Sequence, residues 1–459
     1  MFVTDGPGSA AYDCVVIGSG PAGLTVALEL ERAAKRVLVL ESGDDGPART
    51  LANSIGYGHY SGTYWNAHWV RAFGGTSAVW SGYCTTLCEL DFDNPSVGVR
   101  WPIGRGDLLP YYRQAVSILD RDPSIVDFEA PFLSGFVYRP FSREDPTRFA
   151  EKYGDVLRRS ERVDVALGCS AVGFDADEAR RTVRTVHWFH HRSGTARQLN
   201  IVPPQSVVLA SGGIGNAQLL LQPRSEGAAP VGNERGQAGK FIMEHPHFYN
   251  AAECVMDEGF ERVAPPEEFG RHVSALIAGR ELARDRGLYG CSVEFDRRTT
   301  EHEMAGHFAG AFGRPFYHYV INLRAEMLPS PGNRVFLTGE RDRSGLYRPA
   351  VRCVLDARDF LNVEMTLRAF GESLIAAQKG RVRINNDRIY RNVNGGGHIM
   401  GTTAMGTSSS SSVVDRDCRV HGYDNLFVAG SSVFPSGGYA NPTLTIVALA
   451  VRLAERLAG

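Results

Sequence analysis

A glycine-rich turn, Gly18-Ser19-Gly20-Pro21-Ala22-Gly23, and an acid, Glu41, have the residue types and the spacing needed to hold a dinucleotide. Gly18 permits a tight turn, Gly20 lets the backbone approach a pyrophosphate, and Gly23 lets a helix lie close against a strand. Glu41 stands where a carboxylate accepts both hydroxyls of a ribose. Two other segments carry groups able to move a proton or hold an oxygen. His398 follows Gly395, Gly396 and Gly397, and an unperturbed imidazole titrates near pH ~6.5. On its own residues it is one of 13 histidines and reads as a loop side chain. Asn441 precedes Pro442, which reads first as the N-cap and N1 pair of a helix.

These residues need elements to place them. Tyr12 to Ile17 is an apolar, β-branched run that predicts a strand, a helix is expected from about Ala22 to Ala33, and a second strand ends at Glu41. The helix would aim its free N–H groups and the positive end of its dipole at phosphates. Ser42 to Gly82 is glycine-rich and aromatic, the composition of backbone pressed against a flat group. Gly106 to Leu119 has helical spacing after Pro110, within a connector of one helix. Residues 160 to 210 alternate apolar and polar and predict a small antiparallel sheet, apart from Gln205 to Ala210, an uninterrupted apolar strand leading through Ser211-Gly212-Gly213 into a helix. From Phe241 to Asp387 come further alternating strands, among them 247–256, 333–339 and 350–356, and then one helical run from Phe360. The serines 408–412 read as a flexible loop, and a final helix is expected from Pro442 to Leu457.

The 459 residues allow two or three domains, and this order suits two domains interleaved in sequence. A net charge of −2 with 22% charged residues argues against a nucleic-acid or membrane-surface partner. The 8 cysteines lack metal-ligand spacing, so no metal site is expected. No apolar run approaches the ~20 residues of a membrane span, and the first residues do not read as a signal peptide. A cytoplasmic protein is the expectation.

Five blocks in one order make the resemblance specific: GSGPAG with Glu41; GGTSAVWSG at 74–82; VVLASGGIGNAQLLL at 207–221; GKFIMEHPH at 239–247; and HIMGTTAM with NLFVAGSSVFPSGGYANPTLTIVALA between 398 and 450. The chain resembles the glucose–methanol–choline (GMC) oxidoreductases, nearly end to end. The resemblance implies an α/β fold in which a Rossmann-like FAD-binding domain (1–90, 155–240 and 388–459) is interleaved with an α+β substrate domain built on an antiparallel sheet (91–154 and 241–387). It implies FAD held by Gly18, Ser19, Gly20, Ala22, Gly23, Glu41, Gly75, Thr76, Ser77, Val79, Trp80, Val172, Ala210, Gly430, Pro442 and Thr443. Val79 stands where some relatives carry a flavin-linking histidine, so non-covalent FAD is expected. The resemblance makes His398 the catalytic base and Asn441 its partner on the substrate oxygen, with hydride transfer to flavin N5, and leaves His245 structural. Ala404 departs from the arginine many relatives have. The implied reaction oxidises a CH–OH group to a carbonyl, in a sugar, a glycoside or a sugar-like natural product, with oxygen or another electron acceptor. Sterol-like or small aliphatic alcohols, or a non-redox FAD-containing lyase on this fold, are the alternatives. No motif reports the electron acceptor, the carbon oxidised or the oligomeric state.

Overall fold

The computed structural model describes residues 1–3, 6, 11–46, 54–177, 179, 181–224, 229–257, 272–299 and 301–459. Residues 47–53 of the glycine-rich stretch lie outside the described residues.

A six-stranded sheet runs in the order Phe2–Val3, Val163–Ala166, Val37–Leu40, Cys14–Ile17, Ser206–Leu209, Leu426–Val428, with every neighbour parallel. Cys14–Ile17 and Val37–Leu40 are buried at all positions, the pattern of strands covered on both faces. The helix Pro21–Arg32 crosses between them and packs on the last helix, Thr443–Ala458. Three antiparallel strands, Cys169–Asp177, Thr182–His190 and Thr195–Asn200, form a separate sheet as expected. Val163–Ala166, expected in that sheet, instead pairs with Val37–Leu40. Its alternation is misleading because Asp164, the polar residue, accepts the Tyr12 hydroxyl at 2.8 Å inside the parallel sheet.

A long antiparallel sheet has the order Gly380–Ile384, Pro246–Met256, Tyr317–Ala325, Cys291–Thr299, His272–Ala278, Phe136–Ser142, Ala130–Leu133, and Val393–Gly395 adds to Pro246–Met256. Phe136–Ser142 and Ala130–Leu133 follow the connector and come from a stretch in which no strand was expected. The helix Ala357–Ala376 covers one face, burying Leu367, Phe370 and Leu374 with Phe248, Leu276 and Ile321. It starts at a reciprocal cap, the Asp356 carboxylate accepting from Arg358 N at 2.9 Å and the Asp359 carboxylate from Asp356 N at 2.8 Å. Arg334–Arg341 and Tyr347–Cys353, expected in this sheet, form a fourth one with Ile55–Gly58.

Two local expectations change. The helix Arg105–Ile118 begins five residues before Pro110, with Gly104 N donating to the Asp107 carboxylate at 2.9 Å. Its first turn is held by that cap and by Arg105 Nη2, which donates to Val126 O at 2.6 Å, contacts that help offset the hydrogen bond that proline removes. The serine run folds into a defined turn, with Ser412 Oγ 2.6 Å from Ser408 O and 3.0 Å from His421 Nε2. Among the described residues no helix is long and apolar enough to cross a membrane.

Candidate active site

The carboxyl ends of the central parallel strands open into one cleft of about 400 Å³, the position at which open α/β sheets take ligands. Gly18 leaves its strand with φ +107°, and a Cβ there would lie 2.5 Å from the Ala210 carbonyl oxygen. Gly20 then caps the helix Pro21–Arg32, whose first N–H groups start at the cleft. Glu41 is 4% exposed. Its Oε2 accepts from Ser19 N at 2.9 Å and Ser19 Oγ at 2.6 Å, and its Oε1 from Gly43 N at 2.7 Å. The 74–82 loop is a 3₁₀ turn, Gly75–Ala78, stiffened by Arg148 Nη1, which donates to Ser77 O at 2.7 Å and Trp80 O at 2.9 Å.

Of the residues expected at the cofactor, Gly18, Ser19, Gly20, Ala22, Glu41, Gly75, Thr76, Ser77, Val79, Trp80, Ala210, Gly430, Pro442 and Thr443 line this cleft, as do His398 and Asn441. Gly23 and Val172 do not. A Cβ on Gly23 would lie 2.0 Å from the Gly18 carbonyl oxygen, so its place is the helix–strand contact below the cleft. Val172 sits at a register shift between Ala171 and Gly173 and packs on the core, while Ser170 and Ala171 face the cleft.

At the other end of the cleft, side chains from distant segments meet. His398 Nε2 lies 3.2 Å from Asn441 Nδ2, and His398 Nδ1 lies 2.9 Å from His245 Nδ1. Asn441 therefore does not cap the last helix. Pro442 occupies the N-cap position and no side chain caps the helix, so the Asn441 amide faces the imidazole, with its Oδ1 buried and without a partner among the described residues. His245, expected to be structural, contacts His398 directly. His247 packs edge-on at 6.1 Å from the His398 ring centroid, with its Nε2 buried and unpartnered.

Two buried carboxylates hold the segments that carry these groups. Glu244, just before the strand Pro246–Met256, accepts from His245 N and His398 N, both at 2.8 Å to Oε1, and from the Tyr64 hydroxyl. Glu326, just after the strand Tyr317–Ala325, accepts from Gly438 N at 2.9 Å and Gly290 N at 3.1 Å. The two strands pair antiparallel, which sets both acids at one end of the long sheet. Burial raises Glu244 to about 7 and Glu326 to about 8. Burial also pushes His398 well below the ordinary imidazole range, helped by His245 and His247, and takes His245 down to about 4. Near neutral pH both imidazoles are uncharged, and His398 can accept a proton. Glu244 and Glu326, with His68, Trp69 and Arg71 of the cleft wall, were missed by sequence reasoning. The one available signal for Glu244 was an acid set directly after the apolar residues 241–243 and beside His245.

A family model described as FAD dependent oxidoreductase matches residues 13–360, and one described as GMC oxidoreductase matches residues 329–450. The chain belongs to the GMC family of FAD-dependent oxidoreductases. Among relatives of this oxidoreductase, the 2-methyl-1,2-propanediol dehydrogenase of Mycolicibacterium austroafricanum is 24% identical over 96% of this chain and 94% of its own length. The 6'''-hydroxyparomomycin C oxidase of Streptomyces lividus is 24% identical over 99% of this chain and 93% of its own length. The crystal structure of pyridoxine 4-oxidase from Mesorbium loti superposes with a TM-score of 0.59 at 15% identity, covering 97% of this chain and 99% of that one. The cleft suits FAD. The glycine cradle, the helix N-terminus and the buried Glu41 carboxylate are the donors and acceptors a pyrophosphate and a ribose require.

Proposed function

We propose that this oxidoreductase converts a CH–OH group of a sugar, a glycoside or a sugar-like natural product to a carbonyl, with His398 as base and Asn441 on the substrate oxygen. The observation that carries this reading is the 3.2 Å approach of His398 Nε2 and Asn441 Nδ2 in the wall of the cleft that begins at the dinucleotide turn. A hydroxyl entering between them donates its hydrogen to Nε2 and accepts from the amide. As the C–H bond breaks, the proton passes to His398 and Asn441 steadies the negative charge growing on oxygen. FAD, when bound by Gly18 to Ala22, Glu41, the 75–80 loop and the start of the last helix, supplies the acceptor for the hydride.

The polyhydroxylated substrate class is supported by two buried, unpartnered polar atoms beside the base, Asn441 Oδ1 and His247 Nε2. Such atoms need partners, and hydroxyls neighbouring the reacting carbon supply them. Two full-length relatives named for a diol and for an aminoglycoside point the same way. Val79, which has no nucleophile and is 51% exposed, supports a non-covalent flavin. Eight free cysteines support a reducing, cytoplasmic setting.

Anaerobic bleaching of the holoprotein against sugars, glycosides, sterols and simple aliphatic alcohols tests the reading. Loss of flavin colour with a sugar or glycoside is the expected result. Bleaching only with sterols or simple aliphatic alcohols overturns the substrate class, and no bleaching with any of them favours a non-redox lyase. Readmission of air with a peroxide assay then identifies the electron acceptor.

A further inference from the structure

The contact between His245 and His398 says more than proximity, and the following rests on His398 being the base. The ring nitrogens that face each other, Nδ1 and Nδ1, are 2.9 Å apart. Two neutral imidazoles meet at that distance only if one is N–H and the other carries a lone pair. The far side of His245 decides which. Its Nε2 lies 3.3 Å from the Gly437 carbonyl oxygen, which only accepts, so that nitrogen holds the hydrogen and His245 Nδ1 is bare. His398 Nδ1 must then be the donor, and His398 Nε2 is bare in turn. The opposite end agrees independently, because Asn441 Nδ2, a donor, sits 3.2 Å from that nitrogen.

We propose that His245 is a positioning residue that holds His398 in its Nδ1–H form, so that the Nε2 lone pair is presented at the cleft for the substrate proton. The backbone fixes both ends of this arrangement. Glu244 binds His245 N and His398 N together, and Glu326 binds Gly438 N, next to the carbonyl that orients His245. His247 beside His245 at the start of one strand, Arg324 from its partner strand and His68 at the end of the helix Gly62–Ala67 also stand around His398, and the fixed charge of Arg324 disfavours a second proton on it. When the substrate proton arrives at Nε2, His398 becomes an imidazolium whose Nδ1–H remains bonded to the His245 lone pair, as an orienting group does in other general-base pairs.

Holoprotein labelled with ¹⁵N-histidine tests this by long-range ¹H–¹⁵N correlation near neutral pH, with His398→Gln identifying the ring. The parent is expected to show His398 with a bare Nε2 and a protonated Nδ1. In His245→Leu the ring should revert to the Nε2–H form, and in His245→Asn, whose amide oxygen can accept from Nδ1–H, it should keep the parent form. Anaerobic flavin reduction should slow about 10- to 100-fold in His245→Leu at unchanged FAD content and recover in His245→Asn. An Nε2–H tautomer of His398 in the parent overturns the proposal without any variant, and so does a His398 ring that keeps the parent's Nδ1–H form in His245→Leu. The spectra need no substrate, so they stand apart from the base assignment, which fails separately if His398→Ala bleaches at the parent rate.

Discussion

The two ends of the cleft are built from different material. At the nucleotide end the backbone does the work: a glycine turn, helix N–H groups and one acid, contributed mainly by residues 18–41, with spacing dictated by local chain geometry. At the reaction end the work is done by side chains, and they come from segments far apart in sequence, with His398 bonded to a residue 153 positions away. The first end tolerates almost no change in shape. The second depends on hydrogen-bond polarity as well, since its contacts run between side chains.

This contrast can be broken in graded ways. Gly18→Val has the largest expected effect, because the φ of +107° and the 2.5 Å approach to Ala210 O leave no room for a side chain. The purified variant should carry no flavin absorbance, whereas reaction-end variants should stay yellow. His398→Ala comes next: FAD should be retained while anaerobic reduction falls by at least about 100-fold, the usual range for loss of a general base. A loss of about 100-fold, the low end for removing one donor to a developing oxyanion, is expected for Asn441→Ala, which leaves the base in place. This variant's thermal stability should change little, since the side chain does not cap the last helix.

Glu244→Gln should have the mildest effect, visible in pH dependence rather than in rate. Burial lifts Glu244 from an ordinary 4.5 to about 7, so above its unfolded value the folded protein keeps a proton that the unfolded chain has released. Its contribution to stability is therefore full at low pH and declines as pH rises through about 7. Melting temperatures compared at about pH 5 and pH 8 should show a shallower fall for Glu244→Gln than for the parent. An equal or steeper fall would place that pH dependence elsewhere.

Legibility in the sequence follows the same division. The glycine turn, Glu41 and the central strands were readable because their signals are short-range: a β-branched run, a turn residue, an acid one strand later. His398 and Asn441 were reached through family blocks, since their own residues favoured a loop and a helix cap. Residue spacing did not reveal His245, Glu244 or Glu326 as partners, because strand pairing between 246–256 and 317–325 brings them to the site, and nothing local encodes that pairing. Val163–Ala166 was misassigned for a related reason: the Tyr12 hydroxyl that accommodates Asp164 lies 152 residues away. Val172 was displaced by a bulge, which alternation alone does not anticipate.

The Gly437 carbonyl behind the two rings has one more consequence. An amide oxygen is far too weakly basic to be charged near neutral pH, so the hydrogen-bonded line from His398 through His245 ends there. Under the proposed reaction, a proton taken up at His398 Nε2 is therefore not handed on through His245 to that carbonyl, and it is given back on the side of the ring that faces Asn441 and the cleft.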